Sequence, residues 1–285
     1  DMLDYNHNTL LKPALKWIGG KTQLLSTMVP LLPDNYNIYC EPFIGGGALL
    51  FHVQPQTAII NDINTEIITT YNVIKYDVEN LIVELKTFKN ESDFYYWVRS
   101  WDRDTDAYNN ISDIKKAARI LYLNKTCFNG LYRVNNQGKY NTSFGKYKNP
   151  NIVNEVVLRH ISEYFNKCDI TILNADYTKV LESLPRDSFV YLDPPYDPVT
   201  KTANFTRYSS NGFSQEDQIE LKEMCDKLTS GGVKFMLSNS STEFIKNLYS
   251  DGEKYNIIEV DAVRKVNCVA SKRGKVSEVI VRNYK

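Results

Sequence analysis

The stretch F-V-Y-L-D-P-P-Y, residues 189–196, joins a short apolar run to a corner made of an acid, two prolines and an aromatic residue. Four apolar residues bounded by a turn predict a buried strand of an α/β sheet. Proline has a fixed φ and no backbone N–H, so Pro194 and Pro195 hold the chain outside the hydrogen-bonded ladder. Ligands of open α/β sheets bind at the carboxyl ends of strands, which makes Asp193 and Tyr196 candidate functional residues.

Strand and helix patterns alternate on both sides of this stretch. The α/β part has predicted strands at 38–41, 57–61, 170–173, 189–192, 233–237, 257–260 and 276–281, and helices at 21–32, 48–53, 64–75, 215–228 and 242–249. The intervening segment has predicted helices at 78–89, 92–100, 111–126 and 153–165, and a hairpin turn in N-N-Q-G at 135–138. The predicted organisation is therefore an α/β domain of residues 1–76 and 166–285, interrupted by a helical, hairpin-bearing domain at 77–165.

The charge of the chain is balanced overall but uneven along its length. Thirty-four basic residues match 34 acidic residues, so the formal net charge is zero. Residues 86–150 nevertheless hold 12 Lys and Arg against six Asp and Glu, and residues 261–285 hold seven against two. Such regions can present a cationic face to phosphates, although unevenly charged helix surfaces would give the same counts.

Cysteine and histidine usage argues against disulfide and metal chemistry. The five cysteines are dozens of residues apart, and none of the three histidines has H-x-x-x-H spacing. No apolar run approaches the roughly 18 residues of a membrane span, and residues 1–12 lack the pattern of a secretory signal. The sequence predicts a soluble protein of a reducing compartment, the cytoplasm, with no metal and no membrane partner.

A second motif, E-P-F-I-G-G-G at 41–47, follows a predicted strand and leads into a predicted helix. A glycine turn at this place lets a ligand approach the backbone. Asp62 ends the next strand, where a carboxylate can accept hydrogen bonds from both ribose hydroxyls, and the combination favours a nucleoside ligand over plain turn chemistry. G-G-K-T at 19–22 is similar to the end of a phosphate-binding P-loop, but Leu15 stands where that loop needs its first glycine.

The corner at 193–196 suits methylation of an exocyclic amino nitrogen. The lone pair of adenine N6 is delocalised into the ring, so this amine is a poor nucleophile. The Asp193 carboxylate and the Pro194 carbonyl can accept its two N–H bonds and stabilise the positive charge that develops during attack on a sulfonium methyl group. Tyr196 can stack on a base flipped out of the duplex. The predicted catalytic residues are Asp193, Pro194 and Tyr196.

Six motifs follow one another in the order of the DNA adenine methylases of the Dam type. They are K-W-I-G-G-K (16–21), E-P-F-I-G-G-G (41–47), N-D-I-N-T-E (61–66), F-N-G-L-Y-R-V-N (128–135), D-P-P-Y (193–196) and L-S-N-S-S (237–241). The chain resembles this family over most of its length. The resemblance implies a Rossmann-like sheet that binds S-adenosylmethionine, a target-recognition domain at 77–165, and methyl transfer to adenine N6 in double-stranded DNA, within GATC.

The resemblance also implies which residues contact S-adenosylmethionine. Asp62 is expected to hold the ribose, Asp176 to lie near the adenine of the cofactor, and Asp193 to face both the methyl donor and the target amine. The glycine turn is expected beside the methionine portion. The full predicted set is Trp17, Lys21, Phe43, Gly45, Gly47, Asp62, Asp176 and Asp193.

Recognition of DNA is assigned, by resemblance, to F-N-G-L-Y-R-V-N and the hairpin after it. Phe128 matches an aromatic residue that wedges into the duplex, and Arg133 can bind O6 and N7 of a guanine. Many relatives have a proline before the Phe-Gly of this hairpin, where this chain has Ser143. The predicted DNA-binding residues are Lys16, Phe128, Asn129, Arg133, Tyr140 and Lys146.

Two alternatives are compatible with part of this pattern. An RNA amino-methyltransferase could carry D-P-P-Y, but the hairpin and the helical insertion argue against it. A catalytically inactive DNA-binding paralogue could keep the fold, but the intact Asp193 and Tyr196 argue against that. A solitary regulator, a restriction partner and a phage enzyme all fit the sequence, and a monomer is expected because no dimer surface is readable.

Overall fold

The computed structural model describes residues 7–17, 24–199, 212–263 and 275–285. The strands in these ranges are β1 (Tyr39–Glu41), β2 (Thr57–Asn61), β3 (Asp169–Leu173), β4 (Phe189–Leu192), β5 (Lys234–Ser240), β6 (Asn256–Val263) and β7 (Lys275–Arg282). The α-helices are α1 (Leu25–Met28), α2 (Ala48–Val53), α3 (Thr65–Leu85), α4 (Ser92–Arg99), α5 (Thr105–Asn110), α6 (Asp113–Thr126), α7 (Glu155–Lys167), α8 (Tyr177–Glu182), α9 (Gln215–Ser230) and α10 (Glu243–Leu248). The described strands form one seven-stranded sheet in the order β3-β2-β1-β4-β5-β7-β6, which confirms the predicted α/β fold.

The chain divides into two compact units. The first unit consists of Asp1–Thr22, Gly45–Gln56 and Asn64–Asn174, and the second of Gln23–Ile44, Thr57–Ile63 and Ala175–Lys285. The assignment of target recognition to residues 77–165 stays a prediction. Among the described residues, no helix is both long enough and apolar enough to span a membrane.

In the second unit, β2, β1, β4 and β5 are parallel neighbours. The antiparallel strands β7 and β6 follow beyond β5. All four residues of β4 are buried, and Val190 pairs with Cys40 of β1 and Phe235 of β5. Parallel strands end at one edge of a sheet, so the residues that follow β1, β2, β4 and β5 share an edge, the usual ligand-binding edge of this architecture.

In the first unit, α3 packs against α6 and α7. Asn64 is the N-cap of α3, as predicted, because its side-chain oxygen accepts from the backbone N–H groups of Glu66 and Ile67 at 3.0 and 3.3 Å. The two helices predicted at 64–75 and 78–89 form a single helix with a kink at Asp77, whose φ and ψ are −151° and 41°. The gap between the two predicted helices falls at Asp77, where the backbone departs from helical geometry.

Two short helices, α5 and α8, were not predicted from the sequence. Each is six residues long and begins at an aspartate N-cap: Asp104 accepts from Ala107 N at 3.1 Å, and Asp176 accepts from Thr178 N at 2.9 Å. The sequence of α5, T-D-A-Y-N-N, also has too few apolar residues for an apolar stripe. Their N-caps were the available signal.

The predicted hairpin turn at 135–138 is present, but the arms beside it are not regular strands. Gly138 N donates to Asn135 O at 2.9 Å, and Asn135 N donates to Lys139 O at 2.8 Å. Across the described arms, pairing is limited to isolated bridges, Val134 with Tyr140 and Cys127 with Phe144. The segment around 135–138 is therefore an irregular loop that reverses the direction of the chain, and it belongs to the first unit.

Candidate functional site

Asp193 lies at the carboxyl end of β4 and is half-buried. Ser238, on the parallel neighbour β5, donates from Oγ to Asp193 Oδ1 at 3.4 Å, a long hydrogen bond. The same Ser238 Oγ is hydrogen-bonded to the Tyr191 hydroxyl at 2.8 Å. The carboxylate is thus placed by two neighbouring central strands, β4 and β5.

Pro194 is buried, and Tyr196 is half-buried beside Asp193. Burial, and next the negative charge of Asp193, raise the pKa of Tyr196 well above its ordinary value. The phenol is therefore neutral at physiological pH and keeps its O–H as a donor. A neutral aromatic ring next to a carboxylate at a strand end suits a flat, uncharged ring with an amino substituent.

Asn61, the last residue of β2, joins three segments that carry predicted cofactor residues. Its Nδ2 donates to the carbonyls of Pro42 and Ala175, both at 3.0 Å, and its Oδ1 accepts from Ala175 N at 2.8 Å. Asn61 is fully buried. These bonds hold the backbone next to Phe43, Asp62 and Asp176 together at one edge of the sheet. Sequence reasoning missed Asn61, although a polar residue that ends an apolar strand was an available signal.

An aromatic cluster surrounds Phe43 in the second unit. The rings of Phe43 and Tyr177 are tilted with centroids 5.0 Å apart, and Phe213 meets Phe43 edge to face at 6.0 Å. Phe43 remains half-buried, so part of its ring faces solvent. Asp176, just before Tyr177, is exposed and caps α8 through Thr178. An apolar ring surface and a nearby carboxylate are suited to a purine with its ribose.

In the first unit, the glycine turn packs against Trp17. Gly45 and Gly47 have φ of +48° and +72°. A Cβ built at Gly45 would lie 2.9 Å from Trp17 Cδ1, and one built at Gly46 would lie 2.7 Å from the carbonyl oxygen of Leu15. Tyr71 fixes the turn from the other side by donating to Gly45 O at 2.6 Å. Only glycines fit this close approach. Lys21, which the sequence also predicts as a cofactor contact, lies outside the described residues.

Trp17 also reaches towards the predicted recognition segment of its own unit. Its ring lies against Tyr132 with centroids 4.8 Å apart, and Tyr132 meets Tyr140 edge to face at 5.4 Å. The backbone of Lys16 pairs with the Asn124 amide in both directions, each bond 2.8 Å long. The exposed Lys16 stem crosses Gly130, where an added Cβ would lie 2.7 Å from Lys16 Cδ.

The predicted DNA-binding residues of the turn and hairpin are mostly exposed. Phe128 is 52% exposed although it is a large apolar side chain. Asn129 and Lys146, both exposed, have left-handed backbones with φ of 55° and 58°. Arg133 is exposed and is held by Asn141, to whose Oδ1 its Nε donates at 3.0 Å.

Tyr140 differs from the other predicted DNA-binding residues because it is only 2% exposed. Its hydroxyl donates to Leu131 O at 3.2 Å, and its N–H donates to Asp102 Oδ2 at 2.8 Å. Asp102 in turn pairs with the buried Arg119 at 3.0 Å. The ring therefore supports the hairpin from inside the unit, and a direct contact with DNA stays a prediction that this burial does not favour.

A cleft of about 470 Å³ opens beside Lys16 and the turn at 128–130. Burial lowers the pKa of Lys125, which lines it, below the ordinary lysine value. Lysine ammonium and asparagine amide groups suit the phosphate backbone of a nucleic acid. The lining includes Lys16, Asn124, Lys125, Asn129, Tyr147 and Lys148.

Among the described residues, no group of three or more His, Cys, Asp or Glu side chains is arranged to hold a metal ion. The expectation that the protein uses no metal stays a prediction.

One family model and several known proteins are similar to this chain over most of its length. A family model described as D12 class N6 adenine-specific DNA methyltransferase matches residues 17–266. The type II methyltransferase M1.LlaDCHI of Lactococcus lactis subsp. cremoris is 44% identical over 276 residues, covering 96% of each chain. The type II methyltransferase M.MjaIII of Methanocaldococcus jannaschii is 41% identical, covering 96% of this chain and 99% of the relative. A DNA adenine methylase of Serratia marcescens is 31% identical, covering 93% and 96%.

Proposed function

The chain belongs to the D12 class of N6 adenine-specific DNA methyltransferases, and on that basis we propose that it transfers a methyl group from S-adenosylmethionine to adenine N6 within GATC sites of duplex DNA. The observation that carries this proposal is the D-P-P-Y corner directly after the buried central strand β4. A carboxylate, a proline carbonyl and a neutral tyrosine are collected there. GATC is proposed from the resemblance of the recognition motifs.

Asp193 and Pro194 are the proposed acceptors for the two N–H bonds of the target amine. Two acceptors favour a pyramidal nitrogen, whose lone pair is then available for attack. They also stabilise the positive charge on nitrogen before its proton is lost. Tyr196, kept neutral by its raised pKa, is the proposed stacking partner of the flipped adenine. No strong base is needed, since the nitrogen is positively charged after methyl transfer and in that form gives up a proton far more readily than the neutral amine.

The residues at hand fit S-adenosylmethionine. The glycine turn packs closely against Trp17, and the Asn61 bonds hold the segments bearing Phe43, Asp62 and Asp176 in place. When bound, this cofactor supplies an electrophilic methyl carbon on a sulfonium. The residues proposed to hold it are Trp17, Lys21, Phe43, Gly45, Gly47, Asp62, Asp176 and Asp193.

The exposed surface around the hairpin is the proposed DNA contact. Arg133 can donate two hydrogen bonds to a guanine, and the exposed Phe128 can fill the gap left by the extruded adenine. Lys16, Asn129 and Lys146 would then contact the bases and phosphates beside them. The family description and the name of the Serratia marcescens relative both refer to DNA, which favours DNA over RNA as the substrate.

The proposal is tested by incubating the purified protein with tritiated S-adenosylmethionine and short duplexes. One duplex contains a single GATC, and three others each change one of its base pairs. We expect label only in the GATC duplex, and N6-methyladenine as the labelled nucleoside after digestion. Equal labelling of all duplexes would contradict the site, and label in cytosine would contradict the chemistry.

A further inference from the structure

Two buried side-chain amides, Gln218 on α9 and Asn239 on β5, form hydrogen bonds with the backbone of the D-P-P-Y corner and of the residue that follows it. Gln218 Nε2 donates to the Pro195 carbonyl at 2.9 Å. Asn239 Oδ1 accepts from the backbone N–H of Asp197 at 3.0 Å. The amides are joined to each other, since Asn239 Nδ2 donates to Gln218 Oε1 at 3.0 Å. The two residues are 2% and 0% exposed.

Each amide has only one orientation that satisfies its partners. Asn239 Oδ1 accepts a second N–H, from Ser240 at 2.8 Å, so turning this amide over would set its NH2 against two donors. With Asn239 fixed, its Nδ2 fixes the oxygen of Gln218, and the NH2 of Gln218 must face Pro195. A satisfied buried network of this kind rigidifies its surroundings.

The amide network stabilises the corner at a place where the backbone lacks two hydrogen-bond donors. Pro194 and Pro195 have no N–H to donate to a ladder. The bond to Pro195 lies before Tyr196, and the bond to Asp197 lies after it. Asp197 is anchored further by Thr242, whose Oγ1 donates to Asp197 Oδ2 at 2.6 Å.

We propose that Gln218 and Asn239 are positioning residues for methyl transfer: their paired amides set the direction of the Pro194 carbonyl and the Asp193 carboxylate towards the target amine. This inference rests on the proposed function. Misplacement of reacting groups by about 1 Å can cost about 100-fold in rate. The network should therefore affect the chemical step more than the binding of either substrate.

The first test replaces Gln218 by a residue of similar shape without hydrogen-bonding groups, Gln218→Met. We expect the single-turnover rate of methyl transfer to a GATC duplex to fall about 10-fold to 100-fold. The dissociation constants for DNA and for the cofactor analogue sinefungin should change less than about threefold, because no group that contacts either ligand is removed.

Asn283→Ala is the matched control. Asn283 is also a side-chain amide that ties β5 to α9, but at the opposite ends of both: it accepts from Phe235 N at 2.8 Å and donates to Thr229 Oγ1 at 3.0 Å. This variant should lower the melting temperature and leave the single-turnover rate unchanged. If Gln218→Met only lowers the melting temperature in the same way, the amides are structural and the inference is wrong.

A second variant, Gln218→Glu, tests the donor itself. The carboxylate can still accept from Asn239, but it repels the Pro195 carbonyl until it is protonated, and burial raises the pKa of such a carboxyl. The rate relative to the unchanged protein should therefore be lowest at high pH and recover as the pH falls. If the ratio of the two methyl-transfer rates does not change with pH, the inference is wrong. It is also wrong if Gln218→Met fails to fold but Gln218→Glu is fully active at high pH. If the unchanged protein itself transfers no methyl group, the proposed function has failed instead.

Discussion

Single polar residues at strand ends determine what the edge of the sheet can bind. Asp193 was identifiable from the sequence, because D-P-P-Y places an acid, two prolines and an aromatic residue in four consecutive positions. Asn61 and Asn239 lie in the quoted motifs at 61–66 and 237–241 but were given no role. The contacts of Asn61 depend on Pro42 and Ala175, which lie 19 and 114 positions away in the chain. Gln218 was missed for the same reason. Residues that contact a ligand are easier to identify from a motif than residues that only position other residues.

Replacement of Asp193 by alanine removes one of the two proposed acceptors for the target amine. We expect Asp193→Ala to lower single-turnover methyl transfer by at least about 100-fold, since preorganised polar groups at a developing charge are worth that much. DNA binding should stay within about tenfold. The control is Asp251→Ala, an exposed carboxylate that only accepts from nearby backbone N–H groups. Near-normal transfer by Asp193→Ala would remove this residue from the mechanism.

Local patterns predicted the regular elements well and the irregular ones poorly. The strands at 57–61 and 189–192 and the helix at 48–53 have the predicted bounds, because each is a compact apolar run ended by a turn. The hairpin arms have only isolated bridges, and the N–H of Tyr140 donates to the side chain of Asp102 instead of to the opposite arm. Tertiary contacts of this kind override local strand preference.

The glycine turn supports a prediction at the scale of this element. Gly46→Ala places a Cβ 2.7 Å from the Leu15 carbonyl oxygen, so the backbone has to move. We expect a loss of about 1–3 kcal/mol in the free energy of unfolding, and weaker sinefungin binding in calorimetry. Gly252→Ala is the matched control, because no atom lies within 4 Å of its added Cβ. Unchanged sinefungin affinity in a destabilised Gly46→Ala would separate this turn from the cofactor.

The hairpin supports a second prediction at this scale. Arg133→Ala should relax the choice of base at one position of the site by about 1–3 kcal/mol, measured as the ratio of transfer rates on duplexes with single changes. Arg159→Ala removes an exposed arginine paired with Glu79 and Glu155, and should leave the ratio unchanged. If Arg133→Ala weakens binding equally on every duplex, Arg133 contacts phosphate and not a base.

At the scale of the whole molecule, buried tyrosines set the alkaline limit of stability. Burial is the main cause that raises the pKa of Tyr39, Tyr191 and Tyr249 well above the ordinary value of 10.0. A raised folded-state pKa contributes stability that is fully present below the unfolded pKa and is lost as the pH rises towards the folded one. We therefore expect unfolding above about pH 10.

Absorbance at 295 nm, which follows phenolate formation, and far-UV circular dichroism measure this limit together. The buried fraction of the 20 tyrosines should ionise in the same pH range as the loss of helical signal. Complete ionisation near pH 10 in a protein that keeps its dichroism would contradict the burial of these rings.

Sequence order predicted the α/β class, and the predicted division into domains stays a prediction. The alternation of strands and helices resumes after the helical segment, and that resumption identified one sheet made of distant parts. The compact units are drawn by packing and have bounds of their own: residues 1–22, 45–56, 64–76 and 166–174 cluster with the helical segment. The first unit is held together by the packing of α3 against α6 and α7, and no local sequence pattern encodes that contact.

The most direct test of the central claim is to sequence plasmid DNA from cells that lack adenine methylases and express either the unchanged protein or Asp193→Ala, with a readout of N6-methyladenine at single-base resolution. The account predicts methylated adenine at GATC sites with the unchanged protein and unmodified adenine with the variant. Unmodified DNA in both, or equal methylation in both, would contradict the assignment of adenine methyl transfer to the Asp193–Tyr196 corner.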